Sequence, residues 1–140
     1  MFKTIVVGTD WSGGAELAVA RALELARLTG ANLHVVSVDE GAPAPVTGAR
    51  GAAVTGGAGF QADVALEQTL ERLGADGVEV DQHAPRGAVA ESIVAVAAQQ
   101  RADLIVVGSR GMQGARRVLG SVPNKISHNA PCDVLIVNTS

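Results

Sequence analysis

The stretch Leu104–Ser121, LIVVGSRGMQGARRVLGS, determines the fold, because a short apolar run leads into a glycine-rich loop and then into a helix start. The run LIVV is typical of a parallel strand that is buried on both faces. Glycines at 108, 111 and 114 permit left-handed backbone angles and let a ligand come close to the main chain. The stretch therefore predicts, in succession, a strand, a glycine-rich loop of the kind that binds phosphate, and a helix.

The same region is the basic part of an acidic chain. The formal net charge is -3, yet no Asp or Glu lies between Gly108 and Cys132. The basic residues there are Arg110, Arg116, Arg117 and Lys125. A helix capped by Ser121, with Pro123 in its first turn, directs free N–H groups and a positive dipole end at the loop. The combination predicts an anion or nucleotide site, whereas the glycines alone would fit a plain tight turn.

Apolar runs and helical periodicity alternate along the whole chain. The predicted strands are 3–8, 32–38, 78–84, 104–107 and 133–138, and the predicted helices are 15–28, 60–73, 87–100 and 121–129. This alternation predicts an α/β fold, a single-domain (1–140), open, doubly wound sheet of five parallel strands with helices on both faces. The turns 9–14 and 108–114 would flank the point where strand order reverses, which is where such sheets bind ligands.

Residues 39–59 are rich in glycine and alanine and show neither periodicity. A connection of this length is unusual in a small domain, so we predict a flexible loop.

Composition excludes several classes of protein. Aromatic residues make up 2% of the chain and none is tyrosine, so no platform for stacking nucleic-acid bases is expected. No apolar stretch reaches membrane-spanning length and no signal-peptide pattern opens the chain, which predicts a cytoplasmic protein without a membrane partner. The single cysteine, Cys132, allows no internal disulfide and fits a reducing compartment.

Other catalytic signatures are weak or missing. Cys132 and His128 could suggest a thiol dyad, but a cysteine at the start of an apolar strand is more often buried and inert. His34, His83 and His128 fall in different elements without metal-type spacing, which argues against zinc. No glycine loop is followed by GKS or GKT, and no GxSxG elbow occurs.

Four segments together carry a resemblance to a known family. KTIVVGTDWS (3–12), DLIVVGSRG (103–111), GSV (120–122) and APCDVLIV (130–137) resemble the universal stress protein family, and the likeness covers essentially the whole chain. The nucleotide-binding branch of that family has Gly-x-x-Gly, nine residues, then Gly-Ser or Gly-Thr. This chain has the same glycines with eight residues between Gly111 and Gly120. The resemblance implies a Rossmann-like fold, similar to the adenine nucleotide alpha hydrolases, and a bound adenine nucleotide.

The resemblance implies roles for residues at three strand ends. Asp10 would contact the nucleoside or an associated Mg²⁺ and the ribose, and Thr9 would line the same turn. Val38 would present backbone groups to the adenine. Val107 and Gly108 would lie beside the ribose.

The glycine loop would hold the phosphates through main-chain N–H groups and a serine hydroxyl. The residues implied there are Arg110, Gly111, Gly120, Ser121 and Val122. Pro123 stands where the family often has a hydroxyl donor, and the loop is one residue short. ATP is the first expected ligand, and the short loop and Pro123 make AMP or cyclic AMP the alternatives.

Three classes of function follow from these residues. The favoured one is a nucleotide-binding stress-response sensor or regulator with no assigned catalytic residue, because Asp10 is the one acidic group that we place near the loop and fast phosphoryl transfer needs a positioned base. Slow ATP hydrolysis is a second class. A third is a nucleotide-independent interaction module, since strand 133–138 is apolar on both faces and would form a homodimer along its edge.

Overall fold

The computed structural model describes residues 2–10, 13–38, 58–74, 77–109 and 121–139, and in these ranges strands and helices alternate. The strands are β1 (Thr4–Gly8), β2 (Asn32–Val36), β3 (Val80–His83), β4 (Leu104–Gly108) and β5 (Asp133–Val137). The helices are α1 (Gly13–Thr29), α2 (Ala58–Leu73), α3 (Val89–Gln99) and α4 (Ser121–Asn129). The order of elements predicted from periodicity is confirmed.

The five strands form one parallel sheet in the order β3-β2-β1-β4-β5. The chain builds outward from β1 to β3, then returns to the other side of β1 and builds outward again through β4 and β5. Strand order therefore reverses between β1 and β4. The predicted open, doubly wound sheet is confirmed, including the position of this reversal.

Each face of the sheet has its own apolar core, because successive strand side chains point to opposite faces. One face is covered by α1 and by Leu70 and Leu73 of α2; the opposite face is covered by α3 and α4. The first core is built from β-branched strand residues such as Ile5 and from alanines of α1. Ala18, Ala22 and Ala26 are almost completely buried there. Small helical side chains let α1 lie close to the sheet.

Several boundaries differ from the sequence-based expectation. α2 begins at Ala58, so the last two residues of the predicted loop 39–59 belong to a helix, and 39–57 lie outside the described residues. β2 ends at Val36 rather than at residue 38, so Val38 lies beyond the strand. Gly30 follows α1 with a φ of 75° and provides the left-handed helix end that its sequence position predicts.

The helices in the described ranges are too short or too polar to cross a membrane.

Asp103 aligns the amino ends of the two central strands. Its Oδ2 accepts hydrogen bonds from the N–H of Lys3 at 2.8 Å and of Thr4 at 3.0 Å. Its own N–H donates to the carbonyl of Thr4 at 2.8 Å. The two backbone donors stabilise the carboxylate and lower the pKa of Asp103 below its ordinary value. The register between β1 and β4 is thereby fixed at the amino edge of the sheet, opposite the carboxyl ends of the strands.

We predict that Ile5→Ala lowers the free energy of unfolding by about 2–5 kcal/mol, because its fully buried side chain lies at the centre of one core and its loss leaves a cavity. The matched control is Leu28→Ala, which removes a side chain that is 77% exposed and should change stability by about 0.5 kcal/mol or less. Urea unfolding measures both. Similar losses in the two variants would contradict this placement of the core.

Candidate functional site

The candidate site is the crevice between the carboxyl ends of β1 and β4. Ile5 pairs with Leu104 and Val7 with Val106, and continuing this register places Thr9 level with Gly108. Neighbouring strands whose outgoing chains turn to opposite faces leave a cleft between them. The structure thus brings the two turns that the sequence singled out to the same point of the sheet.

Of the residues that the structure describes, Thr9 and Asp10 lie on the β1 side of the crevice. Thr9 is completely buried, and its N–H donates to the carbonyl of Val36 at 3.0 Å, which fixes the chain as it leaves the strand. Asp10 follows with an exposed side chain. The chain then enters α1 at Gly13. A carboxylate is therefore presented at the rim of the crevice from a fixed backbone.

Glycine at the end of each central strand permits close packing. A Cβ on Gly8 would lie 2.6 Å from Cδ1 of Ile93, so the missing side chain lets α3 approach β1. A Cβ on Gly108 would lie 3.0 Å from Cγ2 of Thr139. A Cβ on Gly14, in the first turn of α1, would lie 3.4 Å from the Cβ of Thr139. Thr139 therefore packs between the start of α1 and the end of β4.

Ser109 ties the residue after β4 to the chain beyond β5. Its N–H donates to the carbonyl of Val137 at 2.8 Å. Its Oγ accepts the N–H of Thr139 at 3.1 Å and lies 3.4 Å from the Thr139 hydroxyl. We call Ser109 and Thr139 the latch. The latch fixes the direction in which the chain leaves Gly108 toward the glycine loop.

Among the helices that begin at this edge of the sheet, α1 and α4 follow the two strands that flank the crevice. α1 starts at Gly13 and α4 at Ser121. The first turn of a helix has unpaired N–H groups and the positive end of the helix dipole, which favours an anion. Pro123 is buried in the first turn of α4, as predicted, and Val122 packs against the core beneath α3 and α4.

The predicted site residues differ in how far the structure describes them. Val107 is 1% exposed at the end of β4, and Val38 is half-buried beyond β2. With Thr9, Asp10 and Gly108 they lie at the ends of three neighbouring strands. Outside the described residues are Arg110, Gly111 and Gly120, together with the side chain of Ser121.

Sequence reasoning missed the latch and a pair of histidines. His34 Nδ1 lies 2.9 Å from His83 Nε2, although the two residues are far apart in sequence. Neither the pair nor the latch carries a local signal. The histidine pair depends on the register between β2 and β3, which pairs Val36 with His83. The latch consists of a serine and a threonine, which are common after strands.

The other candidate groups show ordinary chemistry. Burial raises the pKa of the Cys132 thiol, with a smaller contribution from Asp133, so the thiol stays protonated and weakly nucleophilic near neutral pH. His128 Nδ1 lies 2.9 Å from the carbonyl oxygen of Asn124, within its own helix. In the described part of the chain, no three His, Cys, Asp or Glu side chains converge as a metal site would require.

The strand order and the crevice at its reversal define a doubly wound α/β protein of the Rossmann-like type. Residues 1–138 match the model of the universal stress protein family, and the chain belongs to that family. Universal stress protein Rv1636 of Mycobacterium tuberculosis (strain H37Rv) is 35% identical over 145 residues, covering 99% of this chain and 98% of the relative.

Two similar solved structures contain nucleotides. A universal stress protein in complex with cAMP superposes with a TM-score of 0.80 at 30% identity, covering 99% of both chains. The universal stress protein from Archaeoglobus fulgidus in complex with dAMP superposes with a TM-score of 0.71 at 25% identity, covering 96% of both chains.

We predict that Ser109→Ala breaks the latch, speeds hydrogen exchange at the Thr139 amide and lowers the free energy of unfolding by about 1 kcal/mol. The control is Ser127→Ala, which removes an exposed hydroxyl that donates to the carbonyl of Asn124 at 2.9 Å. Exchange measured by NMR should leave Thr139 protected in that control. Equal protection in both variants would show that Ser109 does not secure the chain end.

Proposed function

We propose that the protein binds an adenine nucleotide in the crevice between β1 and β4 and acts as a cytoplasmic stress-response sensor or regulator, with residues 1–140 as one domain. The observation that carries the proposal is the juxtaposition of the Asp10 turn and the Gly108 turn at the reversal of strand order. A cleft at this position, beside two helix starts, suits a ligand with a planar base at one end and a negative charge at the other.

The structural neighbours support an adenine nucleotide in particular. The complexes with cAMP and with dAMP come from proteins that share this fold over nearly their whole length. Both ligands combine an adenine with one phosphate. The chemistry common to the two neighbours is therefore adenine, a ribose-type sugar and an anion, which is the combination proposed for this crevice.

Each side of the crevice is assigned a part of the nucleotide. The backbone at Val38, beyond β2, faces the adenine, because backbone N–H and C=O groups can pair with the edge of the base. The exposed carboxylate of Asp10 accepts hydrogen bonds from the ribose hydroxyls or contacts an accompanying Mg²⁺. The end of β4, at Val107 and Gly108, lies against the sugar.

The loop between β4 and α4 is assigned the phosphates. The proposed contacts are the main-chain N–H groups of Arg110, Gly111, Gly120, Ser121 and Val122, together with the Ser121 hydroxyl. The eight-residue spacer is one residue shorter than in the family signature, and Pro123 lacks the hydroxyl donor that the family often has at that position. We keep ATP as the first ligand to test, with AMP and cyclic AMP as the alternatives that a shorter pocket would favour.

A binding role is proposed rather than fast catalysis. Phosphoryl transfer needs a group that activates or orients the attacking nucleophile as well as a phosphate clamp. In the described part of the crevice, Asp10 is the acidic side chain available, and it is already assigned to the ribose or Mg²⁺. At most slow ATP hydrolysis is expected, and Asp10→Ala would abolish it.

We predict micromolar binding of Mg-ATP, AMP or cyclic AMP to nucleotide-free protein by calorimetry. Asp10→Asn should weaken it roughly ten- to hundredfold, because a charged acceptor is lost. Gly111→Val should abolish it, because the added side chain blocks approach to the loop backbone. The matched control is Asp133→Asn, an exposed carboxylate at the opposite, amino edge of the sheet, which should bind like the wild type.

The affinities of the three ligands also show which length of phosphate chain the site prefers. Tightest binding of Mg-ATP supports the triphosphate assignment, and tighter AMP or cyclic AMP supports the shorter pocket. No heat with any of the three, from folded protein, would refute the nucleotide proposal. The interaction module would then remain as the function to pursue.

A dimeric interaction module is the second candidate, and β5 favours it. This strand closes one side of the sheet, and Val134, Leu135 and Ile136 are half-buried. The Val137 carbonyl points toward β4, where it accepts the Ser109 N–H. Because backbone groups alternate along a strand, those of Ile136 point away from β4. We propose that this outer edge pairs with a second copy of the chain.

We predict that Ile136→Pro converts a dimer into a monomer, because proline removes an outward N–H from the edge. Ile136→Val, which keeps that N–H, is the control and should remain dimeric. Light scattering coupled to size exclusion gives the mass of each. A dimer in both variants would place the interface elsewhere.

A further inference from the structure

A pair of histidines links the two outer strands on the β3 side of the sheet. His34 lies in β2 and His83 ends β3, on the same face, and their rings are 5.1 Å apart between centroids. The 2.9 Å separation of His34 Nδ1 and His83 Nε2 is a hydrogen-bond distance. His34 is 7% exposed, whereas His83 is only partly buried. Neither residue belongs to the proposed nucleotide contacts.

The surroundings of His34 oppose a positive charge. Burial lowers the pKa of His34, the charge of His83 lowers it further, and Asp81 acts in the opposite direction. The Asp81 carboxylate is 3.9 Å from His34 Nδ1 but is 71% exposed, so water screens it. On the other side, the neighbour in β1 is Val6, and α3 faces this part of the sheet with apolar residues such as Ile93.

Counting protons on the pair shows when the hydrogen bond fails. With no proton added, one ring donates N–H and the other accepts. One added proton is tolerated, because an imidazolium N–H still donates to a neutral ring. A second proton places N–H groups on both facing nitrogens, so the bond is lost and two positive charges face each other. Because the pKa of His34 is lowered, the second proton is added at a pH below the ordinary pKa of a histidine side chain.

The pair is connected to the nucleotide crevice through the end of β2. The N–H of Ser37 donates to the carbonyl of His83 at 2.9 Å, and the carbonyl of Val36 accepts the N–H of Thr9 at 3.0 Å. The end of β2 is thus bonded to β3 on one side and to the crevice on the other. Val38, assigned to the adenine, is the next residue after Ser37.

We propose that the His34–His83 pair is a pH-sensitive control on nucleotide binding: its second proton separates the rings, loosens β3 from the end of β2 and weakens the adenine contact. This inference rests on the proposed nucleotide function. β3 is suited to such a movement because it is a four-residue strand at the edge of the sheet. Acidification would then release nucleotide while the two central strands stay paired.

The test compares cyclic AMP affinity, by calorimetry, in steps from about pH 8 to about pH 5, the range in which imidazole titrates. Cyclic AMP is chosen because its phosphodiester keeps one charge throughout this range. We expect wild-type affinity to fall roughly tenfold, the free energy of about one hydrogen bond. In His83→Gln the amide can replace the ring nitrogen as a partner of His34 without titrating, so affinity should be flat with pH.

Two further variants sharpen the comparison. His128→Gln removes the histidine outside the pair and should retain the wild-type pH dependence. Asp81→Asn removes the negative charge that raises the pKa of His34, so the transition should move to lower pH. Hydrogen exchange at the Ser37 amide, corrected for intrinsic rate, should lose protection at low pH in the wild type and keep it in His83→Gln.

The outcomes separate the two proposals. No cyclic AMP binding even near pH 8 would refute a cyclic AMP site, and the same result with AMP and Mg-ATP would refute the nucleotide function. Binding with the same pH dependence in wild type and His83→Gln would refute the switch alone. Unchanged Ser37 protection across the pH range would also refute the switch, whatever the nucleotide result.

Discussion

The parallel pairing of β1 with β4 is the constraint on which the rest of the molecule depends. Both strands have five residues, and Asp103 aligns their amino ends through backbone hydrogen bonds. Equal lengths and a fixed start bring their carboxyl ends to within one residue of the same level. The crevice is therefore a consequence of register, and the residues that determine its shape include one at the far edge of the sheet.

Glycines at the ends of the two central strands allow close packing beside the crevice. Gly8 lies where Cδ1 of Ile93 occupies the space that a Cβ would need, and a Cβ on Gly108 would press on Cγ2 of Thr139. The approach of α3 to β1, and of the chain beyond β5 to the end of β4, therefore depends on glycine at these two positions.

The sequence predicted the fold more completely than the site. Hydrophobic periodicity predicted every described strand and helix, because burial on one or both faces of each element leaves a direct trace in the order of residues. The approach of His34 to His83 and of Ser109 to Thr139 depends on the register between strands, which no local pattern encodes. Periodicity predicts the start of α2 at residue 60 instead of Ala58, because the first turn of the helix has few large apolar residues. The phosphate loop, 110–120, remains a prediction.

The buried alanines of α1 limit which sequence changes this fold can accept. Ala18, Ala22 and Ala26 face a sheet of β-branched residues, and exchange of Val for Ile there alters volume by one methylene. At the alanines, replacement by Val, Leu or Ile adds at least two carbon atoms, and overpacking costs about 1–3 kcal/mol. The strands can therefore exchange one aliphatic residue for another at little cost in stability. Larger residues on the inner face of α1 would destabilise the fold.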